Sequence, residues 1–542
     1  MIESTGTMPS VATSVLSESQ TAIGVRVVAV LVTWNRRGNV ERVLQRLAGM
    51  HLNGAQLHVL VVDNASDDGT SDALEQRFSP ERVARNSSQI GSEPKLETIE
   101  GVSHNTLGLE SFTLIKNDAN LGGCGGFNTG LAAVSALFGE PGSARGPDFV
   151  WLLDDDIDLL PDSLMRLCRA AAVDTQIAVV GSRTVDLSDR KTTIESTIYY
   201  DRATGMMGPD TTGPQESWPE AVEGVRDVDI VSACSMLVRW AAIEGLGLWD
   251  DRFFIYCDDA DWCLRIKRAG LRVVCALDAV VFHTPWTQKL TPVRSYYLHR
   301  NLLMMNAKHL DGGELRRVWL RWGWRLLRDA KSATLNRRST QASLTLRAVR
   351  DAALGRGGKL AFQPRTCGVV EWVADSPTAC RDVVIISDGS HDLHAIESVR
   401  AAIDNEFIAS GRAGSKPKWR IVLPEGSPIA THGGEPPRAG AGRLPLIFYR
   451  RSRLGKALAH ASLCRRRPDA VIVIDDACEF PMLFGKTTLH ISSRSPLTAT
   501  VEPGGLRAVA GLLFPLVREA VGTVVFAITS RRDTRSDPAA VG

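Results

Sequence analysis

The chain has 542 residues, and at roughly 100–200 residues per domain it is expected to form two to four domains. Hydrophobic residues make up 44% and charged residues 23%, as in soluble globular proteins, and a formal net charge of +2 does not favour a nucleic-acid-binding protein. The ten cysteines have no CxxC spacing, which excludes a zinc or redox motif of that kind. Free thiols and the lack of a signal peptide indicate the cytoplasm. The sequence contains no uncharged apolar run of about 18 residues, so we expect no membrane span.

The first half of the chain alternates strand and helix patterns. It begins with a Ser- and Thr-rich tail, residues 1–22, that we expect to be disordered. Continuous β-branched runs are typical of strands covered on both faces. The predicted strands are residues 26–34, 57–63, 112–117 and 148–154, with helices between them. Residues 79–111 are expected to form an insertion loop, and a helix is expected from Gly126 onward. This order predicts an α/β domain with a mostly parallel central sheet.

The composition changes after residue 310. The segment LRRVWLRWGWRLLRDA places Trp, Leu and Val at helical intervals with arginines between them, and it predicts a basic helical region. Three later β-rich runs, which start near residues 382, 419 and 469, predict a second, smaller α/β domain. The expected divisions are a first domain at 23–310, the basic helical segment at 311–362, a linker at 363–381, the second domain at 382–530 and a disordered tail at 531–542.

Three adjacent acids follow the apolar strand FVWLL. Asp154, Asp155 and Asp156 would repel one another without a cation, and their hard oxygen ligands suit Mg²⁺ or Mn²⁺, which can neutralise a diphosphate. Since alternate residues at a strand end point the same way, Asp154 and Asp156 are expected to share the metal while Asp155 faces elsewhere. The alternative is a solvated acidic turn.

Other polar residues follow strand-like runs. Asp63 ends a predicted strand, where it either accepts from a uracil or ribose or caps a loop. The run FFIY is read as a buried strand that leads into Asp258, Asp259 and Asp261. One of these carboxylates can serve as a general base, although carboxylates at a helix start can also be caps. His283, at the end of another β-rich run, is either structural or a third metal ligand.

A glycine-rich turn, NLGGCGGFNTGL, separates a strand from a helix. Gly122 and Gly123 allow backbone amides to approach a phosphate or a sugar. The turn lacks the GxGxxG spacing of a dinucleotide fingerprint, and neither GxxxxGK[ST] nor GxSxG occurs in the chain.

In this order the motifs resemble family 2 inverting glycosyltransferases of the GT-A fold. The matching pieces are VVAVLVTWNR, LVVDNASDDGT, NLGGCGGFNTGL, WLLDDDI, DDADWCLRIKRAG and VVFHTPW, followed by YYLHRN. NLGGxGGF, DDD, DDAD and HxxW are most similar to the bacterial galactofuranosyltransferase branch. The resemblance fades after about residue 360, and the C-terminal region does not match the helical tail expected of polymerising galactan enzymes.

The resemblance implies a role for each matched residue. It implies that Asp154, Asp156 and His283 hold Mn²⁺ or Mg²⁺ and that Asp259, with Asp258 beside it, is the catalytic base. The nucleotide-sugar donor, expected to be UDP-galactofuranose, would be bound by Asp63, Asn117, Gly122, Gly123, Asp155, Trp249 and Trp286, with the two tryptophans as stacking walls for sugar rings. The acceptor would be a glycan or a lipid-linked glycan in cell-envelope polysaccharide synthesis.

Alternatives remain open at this point. One is a rhamnosyltransferase with dTDP-rhamnose as its donor, and another is a non-catalytic carbohydrate-binding relative. The basic, Trp-containing segment predicts either peripheral contact with the inner face of the plasma membrane or a core-packing helix with solvated arginines.

Overall fold

A computed structural model gives the structure of this chain. It describes residues 24–529 except 101–104, 210–223, 337, 363–365, 370–381, 388–392, 410–416, 425–437, 440–441, 444–445, 451, 467, 475–486, 493–494 and 504–505. Both predicted tails and most of the predicted linker lie outside the described residues. The chain divides into two compact units, Met1–Lys289 with Gly357–Lys359, and Leu290–Arg356 with Leu360–Gly542.

The first unit is an α/β structure. Its described helices are α1 (Arg37–Ala48), α2 (Thr70–Phe78), α3 (Gly122–Phe138), α4 (Ser163–Ala172) and α5 (Asp258–Arg268), with short 3-10 helices at Trp240–Ile243, Asp251–Phe253 and Trp286–Lys289. Its described strands are β1 (Arg26–Thr33), β2 (Gln56–Asp63), β3 (Arg82–Asn86), β4 (Leu96–Glu100), β5 (Ser111–Asn117), β6 (Phe149–Asp154), β7 (Ile157–Leu159), β8 (Ile177–Asp186), β9 (Thr193–Glu195), β10 (Ile198–Asp201), β11 (Met206–Pro209), β12 (Val225–Asp227), β13 (Ser235–Arg239) and β14 (Arg272–His283).

Twelve of these strands form one mixed sheet. The order along it is β12-β14-β8-β13-β6-β1-β2-β5-β3-β4, with β7 paired to β14 and β9 to β8. The run β6-β1-β2-β5-β3 is parallel throughout, whereas β13 is antiparallel to both of its neighbours. The prediction of a mainly parallel, helix-covered sheet is confirmed.

The β-branched runs are strands because both faces of the sheet are covered. The residues of β1 from Val27 to Leu31 are fully buried, and α1 packs Val40, Val43, Leu44 and Leu47 into the same core. Burying a side chain of this kind contributes about 1.5–3 kcal/mol, so the β1–α1 contact is a major part of this core.

The expectation of an insertion loop at 79–111 is wrong in part. Strands β3 and β4 form a hairpin within this segment, and β3 adds to the sheet in parallel beside β5. In its sequence, RVARN, Ala84 and Asn86 are buried, whereas Arg82 and Arg85 are exposed. Strand β3 lies between β5 and the edge strand β4, and a five-residue strand with only two buried residues has a pattern that resembles a loop.

Helix α3 begins at Gly122, four residues before the predicted start at Gly126. Glycine is unfavourable inside a helix, but a Cβ at Gly126 would lie 2.5 Å from Cγ1 of Val32, and one at Gly130 would lie 2.2 Å from Cγ1 of Val30. The glycines therefore allow the helix to lie directly against β1.

The run FFIY is not a strand, contrary to the expectation. Its first residue ends the short helix Asp251–Phe253, and Phe254, Tyr256 and Cys257 have positive φ angles of 67°, 69° and 62°. Three left-handed residues so close together prevent an extended conformation and turn the chain sharply into α5.

The second unit contains a helical part and an α/β part. The helical part is α6 (Pro292–His309), α7 (Gly312–Leu335), α8 (Ser339–Ala353) and the last helix, α11 (Leu506–Thr529). The α/β part has helices α9 (Leu393–Ala409) and α10 (Arg453–Arg466), and strands β15 (Thr366–Gly368), β16 (Asp382–Ile386), β17 (Lys418–Pro424), β18 (Arg438–Ala439), β19 (Gly442–Arg443), β20 (Leu446–Tyr449), β21 (Ala470–Ile474), β22 (Thr487–Ser492) and β23 (Ser495–Pro503).

The second sheet is covered on both faces. Its order is β15-β23-β22-β21-β16-β17-β20, and its five strands from β22 to β20 are parallel. Helix α9 packs on one face through Ile396 and Val399, and α10 packs on the other through Leu463. The three strands predicted from sequence are at the centre of this sheet. Among the described residues, no helix is both long and apolar enough to cross a membrane.

The contact between α3 and β1 is testable. Gly126→Ala should destabilise the protein by about 1–3 kcal/mol, because the added methyl group overlaps the stiff side chain of Val32. Gly123→Ala on the same helix is the matched control, since no atom in the described part of the chain lies within 4 Å of the position that its Cβ would take. Urea unfolding followed by circular dichroism measures both. Equal midpoints for the two variants would show that the α3–β1 contact is not tight.

Candidate active site

The carboxyl ends of β1, β2, β5 and β6 bring polar side chains to one edge of the first sheet. Thr33 is paired with Asp63, and Val32 with Asp154, in the parallel register. Asn117 ends β5 opposite Asn86. Ligands bind at this edge in open α/β sheets, and the sequence-predicted residues on these strands lie there together.

Asp154, Asp156 and His283 form one cluster. Each offers a ligand atom, and the three atoms lie within 4.8 Å of one another. Strand β7 causes this approach, because it follows the three acids directly and pairs Ile157 with His283. Nε2 of His283 is 3.0 Å from Oδ1 of Asp156 and 4.0 Å from Oδ2 of Asp154. Two carboxylates and an imidazole are a donor set suited to Mn²⁺ or Mg²⁺, so the residues present fit a divalent cation.

Two cations that were not singled out in the sequence contact the cluster. Nη1 of Arg36 is 3.1 Å from Asp155 and 2.5 Å from Asp156, and Nζ of Lys289 is 2.7 Å from Asp156. Burial alone would raise the pKa of Asp156, but the hydrogen bond with His283 and the charges of Lys289 and Arg36 hold that pKa well below its usual range. The position of Arg36, two residues after a predicted strand, was a sequence signal that could have identified it. For Lys289 the only such signal was its closeness in sequence to His283.

Asp155 is oriented differently from its neighbours. Its carboxylate accepts a 2.7 Å hydrogen bond from Oγ1 of Thr33 and pairs with Arg36. Burial raises the pKa of Asp155 to about 6, against the lowering effects of Arg36 and Thr33. This carboxylate therefore ties the acidic turn to the end of β1.

Asp258 and Asp259 open α5 immediately after the left-handed residues. Oδ2 of Asp259 accepts from the backbone N–H of Ala233 at 3.3 Å, and Oδ1 accepts from Ala260 at 2.7 Å. Burial raises the pKa of Asp259, the N–H of Ala260 opposes the rise, and the charge of Glu195 adds to it. Burial and the neighbouring Asp259 also raise the pKa of Asp258. Raised pKa values make both carboxylates stronger proton acceptors than an exposed aspartate.

The two acidic groups meet on one backbone segment. Asp259 bonds to Ala233, and the N–H of Asp154 donates to the carbonyl of the next residue, Cys234. The candidate base and the metal-type cluster therefore belong to one site.

Glu195 is a further acid at this site that was not predicted from the sequence. It lies on β9 and, with Cys234 and His283, forms a second group of potential ligand atoms within 4.8 Å. Burial raises the pKa of the Cys234 thiol far above its ordinary value, so this sulfur stays protonated and is a poor ligand. The oxygen-rich group at Asp154 and Asp156 is therefore the better cation site. Glu195 sits in no recognisable motif.

Asp63 and Asn117 are buried and hydrogen-bonded within the protein. Asp63 accepts from the N–H of Ser66 at 3.1 Å and also from the hydroxyl of Ser71. The amide of Asn117 donates to Oδ1 of Asn64 at 3.0 Å. Asn64 in turn donates to the carbonyl of Gly122 at 2.8 Å. These contacts fix the glycine-rich loop, and Asn64, adjacent to the predicted Asp63, was not recognised from the sequence.

The two glycines of the loop have different surroundings. Gly122 has φ 79°, and a Cβ there would lie 2.1 Å from the carbonyl oxygen of Phe254, so only glycine fits. Among the residues that the structure describes, nothing lies within 4 Å of the Cβ position at Gly123, which leaves its face open to them.

The two predicted stacking tryptophans also differ. Trp249 is only 3% exposed, and its ring packs beside Phe127 and Trp262 at centroid distances of 5.2 and 5.3 Å. Trp286 is 37% exposed and meets the ring of Tyr256 edge-on. In this structure Trp249 is a core residue, and Trp286 is the one of the two that presents an open ring surface.

Comparison with known proteins gives a family and several relatives. Residues 25–299 match the family model described as glycosyltransferase like family 2. Galactofuranosyltransferase GlfT1 of Mycobacterium tuberculosis is 24% identical over 238 residues, which cover 40% of this chain and 73% of that protein. N-acetylglucosaminyl-diphospho-decaprenol L-rhamnosyltransferase of the same species is 25% identical over 263 residues, which cover 47% of this chain and 74% of that protein. Galactofuranosyltransferase GlfT2 is 25% identical over 214 residues, covering 36% of this chain and 32% of that protein.

Solved structures of glycosyltransferases are also similar in part. GalNAc-T7 with UDP, GalNAc and Mn²⁺ has a TM-score of 0.36 and 10% identity, covering 61% of this chain and 55% of that one. Mannosyltransferase PcManGT from Pyrobaculum calidifontis, in complex with GDP-Man and Mn²⁺, has a TM-score of 0.32 and 15% identity. The match covers 73% of this chain and 86% of that one.

The family match covers the whole of the first, mixed sheet and every acid of the candidate site. The predicted fold, an α/β glycosyltransferase domain of GT-A type with a mainly parallel sheet, is confirmed. Because the match extends over more than half of the chain, this protein belongs to the glycosyltransferase family 2-like family and is a glycosyltransferase.

Proposed function

We propose that the protein is an inverting galactofuranosyltransferase that transfers galactofuranose from UDP-galactofuranose to a glycan or lipid-linked glycan of the cell envelope. The observation that carries this proposal is the joint position of the Asp154–Asp156–His283 cluster and Asp259 at one sheet edge. Relatives with galactofuranosyltransferase names support the donor.

Each group would have a separate task. A divalent cation held by Asp154, Asp156 and His283 would neutralise the diphosphate of the leaving nucleotide. Asp259 would take the proton from an acceptor hydroxyl, whose oxygen attacks the anomeric carbon from the face opposite the leaving group. The open face at Gly123 offers room for the donor, and the exposed ring of Trp286 offers a surface for a sugar.

A rhamnosyltransferase that uses dTDP-rhamnose is the second candidate. A rhamnosyltransferase is among the relatives at the same level of identity as the galactofuranosyltransferases, so identity does not choose between the two sugars. The same test can also identify the protein as a carbohydrate-binding relative without transferase activity.

A donor panel with Asp259→Asn tests this function. We expect wild type with Mn²⁺ to release UDP from UDP-galactofuranose, and Asp259→Asn to lower turnover by about 10²–10⁴-fold with donor affinity unchanged. Because the pKa of Asp259 is raised, activity should fall as pH drops through a higher range than for an ordinary aspartate, since the protonated carboxyl cannot accept a proton. Nucleotide release is measured by a coupled assay.

Asp258→Asn is the matched control for the base. Normal turnover in Asp259→Asn with loss in Asp258→Asn would assign the base to Asp258. Release of dTDP from dTDP-rhamnose without use of UDP-galactofuranose would support the rhamnosyltransferase. Turnover of neither donor would leave the carbohydrate-binding alternative.

Metal dependence is a separate expectation. EDTA should abolish transfer, and added Mn²⁺ or Mg²⁺ should restore it, because without a cation the carboxylates repel a diphosphate. Asp156→Asn should show little recovery at metal concentrations that restore wild type. Full activity after thorough chelation would contradict the metal assignment.

We also propose that the second unit binds an anionic membrane surface, where a lipid-linked acceptor would be presented. On α7, Trp319 and Trp322 are buried, as the core-packing alternative expects, whereas Trp324 is 54% exposed, and Arg321 and Arg325 are exposed as well. Exposed arginines and a tryptophan favour the headgroup region of a membrane.

Helix α11 adds an apolar surface next to α7. Trp319 stacks on Phe526, so the two helices are in contact. Val517, Val521 and Val525, spaced one turn apart on α11, are 62%, 58% and 51% exposed. Exposed valines on a helix that packs against an arginine-rich helix are suited to a lipid surface rather than to water.

Vesicle co-sedimentation tests this contact. The protein should pellet with phosphatidylserine vesicles at low salt but remain in the supernatant with phosphatidylcholine, since each basic residue near an anionic surface contributes about 1 kcal/mol. Arg317→Glu with Arg321→Glu should lower binding at least about tenfold. Arg82→Glu with Arg169→Glu, on the first unit, is the charge-matched control. Equal recovery in the supernatant with both lipids would contradict the proposal.

A further inference from the structure

The ammonium group of Lys289 lies within the Asp154–Asp156–His283 cluster. Its Nζ is 2.7 Å from Oδ2 of Asp156 and 2.9 Å from Nε2 of His283, and the side chain is 19% exposed. A single positive charge thus contacts two of the three side chains that would hold a divalent cation.

Lys289 and a metal ion would compete for the same atom. A metal would bind His283 through the lone pair of a ring nitrogen, and the ammonium of Lys289 lies 2.9 Å from Nε2 of that ring, close enough to obstruct a metal there. Two cations a few ångströms apart also repel each other strongly in a partly buried site. Lys289 must therefore leave His283 when a divalent cation binds there.

The position of Lys289 in the chain permits such a movement. It ends the short helix Trp286–Lys289, which follows the end of β14 at His283. Its charge lies at the end of a flexible four-carbon stem, so the ammonium can move without a change in the sheet. Arg36 contacts Asp155 and Asp156, and no contact between Arg36 and His283 is found in the described residues.

The displaced ammonium needs a new anionic partner. On the proposed function, on which this inference rests, the diphosphate of a nucleotide-sugar donor lies against the same cation. A lysine ammonium is a common phosphate ligand, and a short movement is enough to reach an anion beside the cluster.

We propose that Lys289 is an internal cation that holds the metal site in the free protein and moves to the donor diphosphate when a divalent cation binds. The side chain thereby has opposite effects on two ligands. It weakens the binding of the metal alone, and it strengthens the binding of the nucleotide once metal is present.

Binding measurements on the full chain test both effects. Mn²⁺ binding without nucleotide is measured by the electron paramagnetic resonance signal of free Mn²⁺, and UDP binding at saturating Mn²⁺ by calorimetry. Lys289→Met, which keeps the apolar stem, should bind Mn²⁺ about tenfold tighter and UDP about tenfold weaker than wild type. Lys289→Arg keeps a cation and should remain within about threefold of wild type for Mn²⁺. Lys191→Met, an exposed lysine of the same unit, should change neither affinity.

The outcomes separate this inference from the function beneath it. Equal or weaker Mn²⁺ binding by Lys289→Met than by wild type, with circular dichroism unchanged, would overturn the proposed role of Lys289 as an internal cation. Tighter Mn²⁺ binding with unaltered UDP binding would overturn the diphosphate contact. An absence of Mn²⁺ binding in both wild type and Lys289→Met would overturn the metal site itself, and the inference with it.

Discussion

Negative charge concentrated at one end of a parallel sheet is the constraint on which this site depends. Asp154, Asp155 and Asp156 follow a buried strand, and carboxylates removed from water must be balanced by positive charge or hydrogen bonds. The balance comes from separate parts of the first unit: Arg36 follows β1, and His283 and Lys289 lie at and after the end of β14. The same concentration of negative charge would attract the divalent cation that we propose for this site.

Backbone geometry places the candidate base on the same site. Gly122 has no Cβ, so the carbonyl of Phe254 can approach the loop, where it accepts from the N–H of Cys124 at 3.4 Å. The left-handed residues after Phe254 then direct the chain into α5, and Asp259 binds the backbone of Ala233. The positive φ angles are unfavourable for non-glycine residues, and such conformations persist where surrounding contacts enforce them, as happens at functional sites.

Several residues of the site also stabilise the fold. Asp63 and Asn117 use part of their hydrogen-bonding capacity on loop backbone and on Asn64, and Trp249 is enclosed by aromatic rings. Sequence motifs mark these positions because the motif contains both the groups that face a ligand and the groups that hold them. A motif therefore identifies the site more reliably than it identifies the task of each member.

The sequence alone determined the α/β class, the four parallel strands β1, β2, β5 and β6, and the acids and histidine of the cluster. These follow from local patterns, since β-branched runs and polar strand ends are visible over a few residues. The tertiary structure decided what depends on distant neighbours. It showed that β3 and β4 form a hairpin that extends the sheet beyond β5, and that FFIY turns instead of extending. It also showed that Trp249 is buried while Trp286 is open, and that Arg36, Glu195 and Lys289 reach the cluster. Such contacts join residues far apart in the chain, and no pattern within a short window contains them.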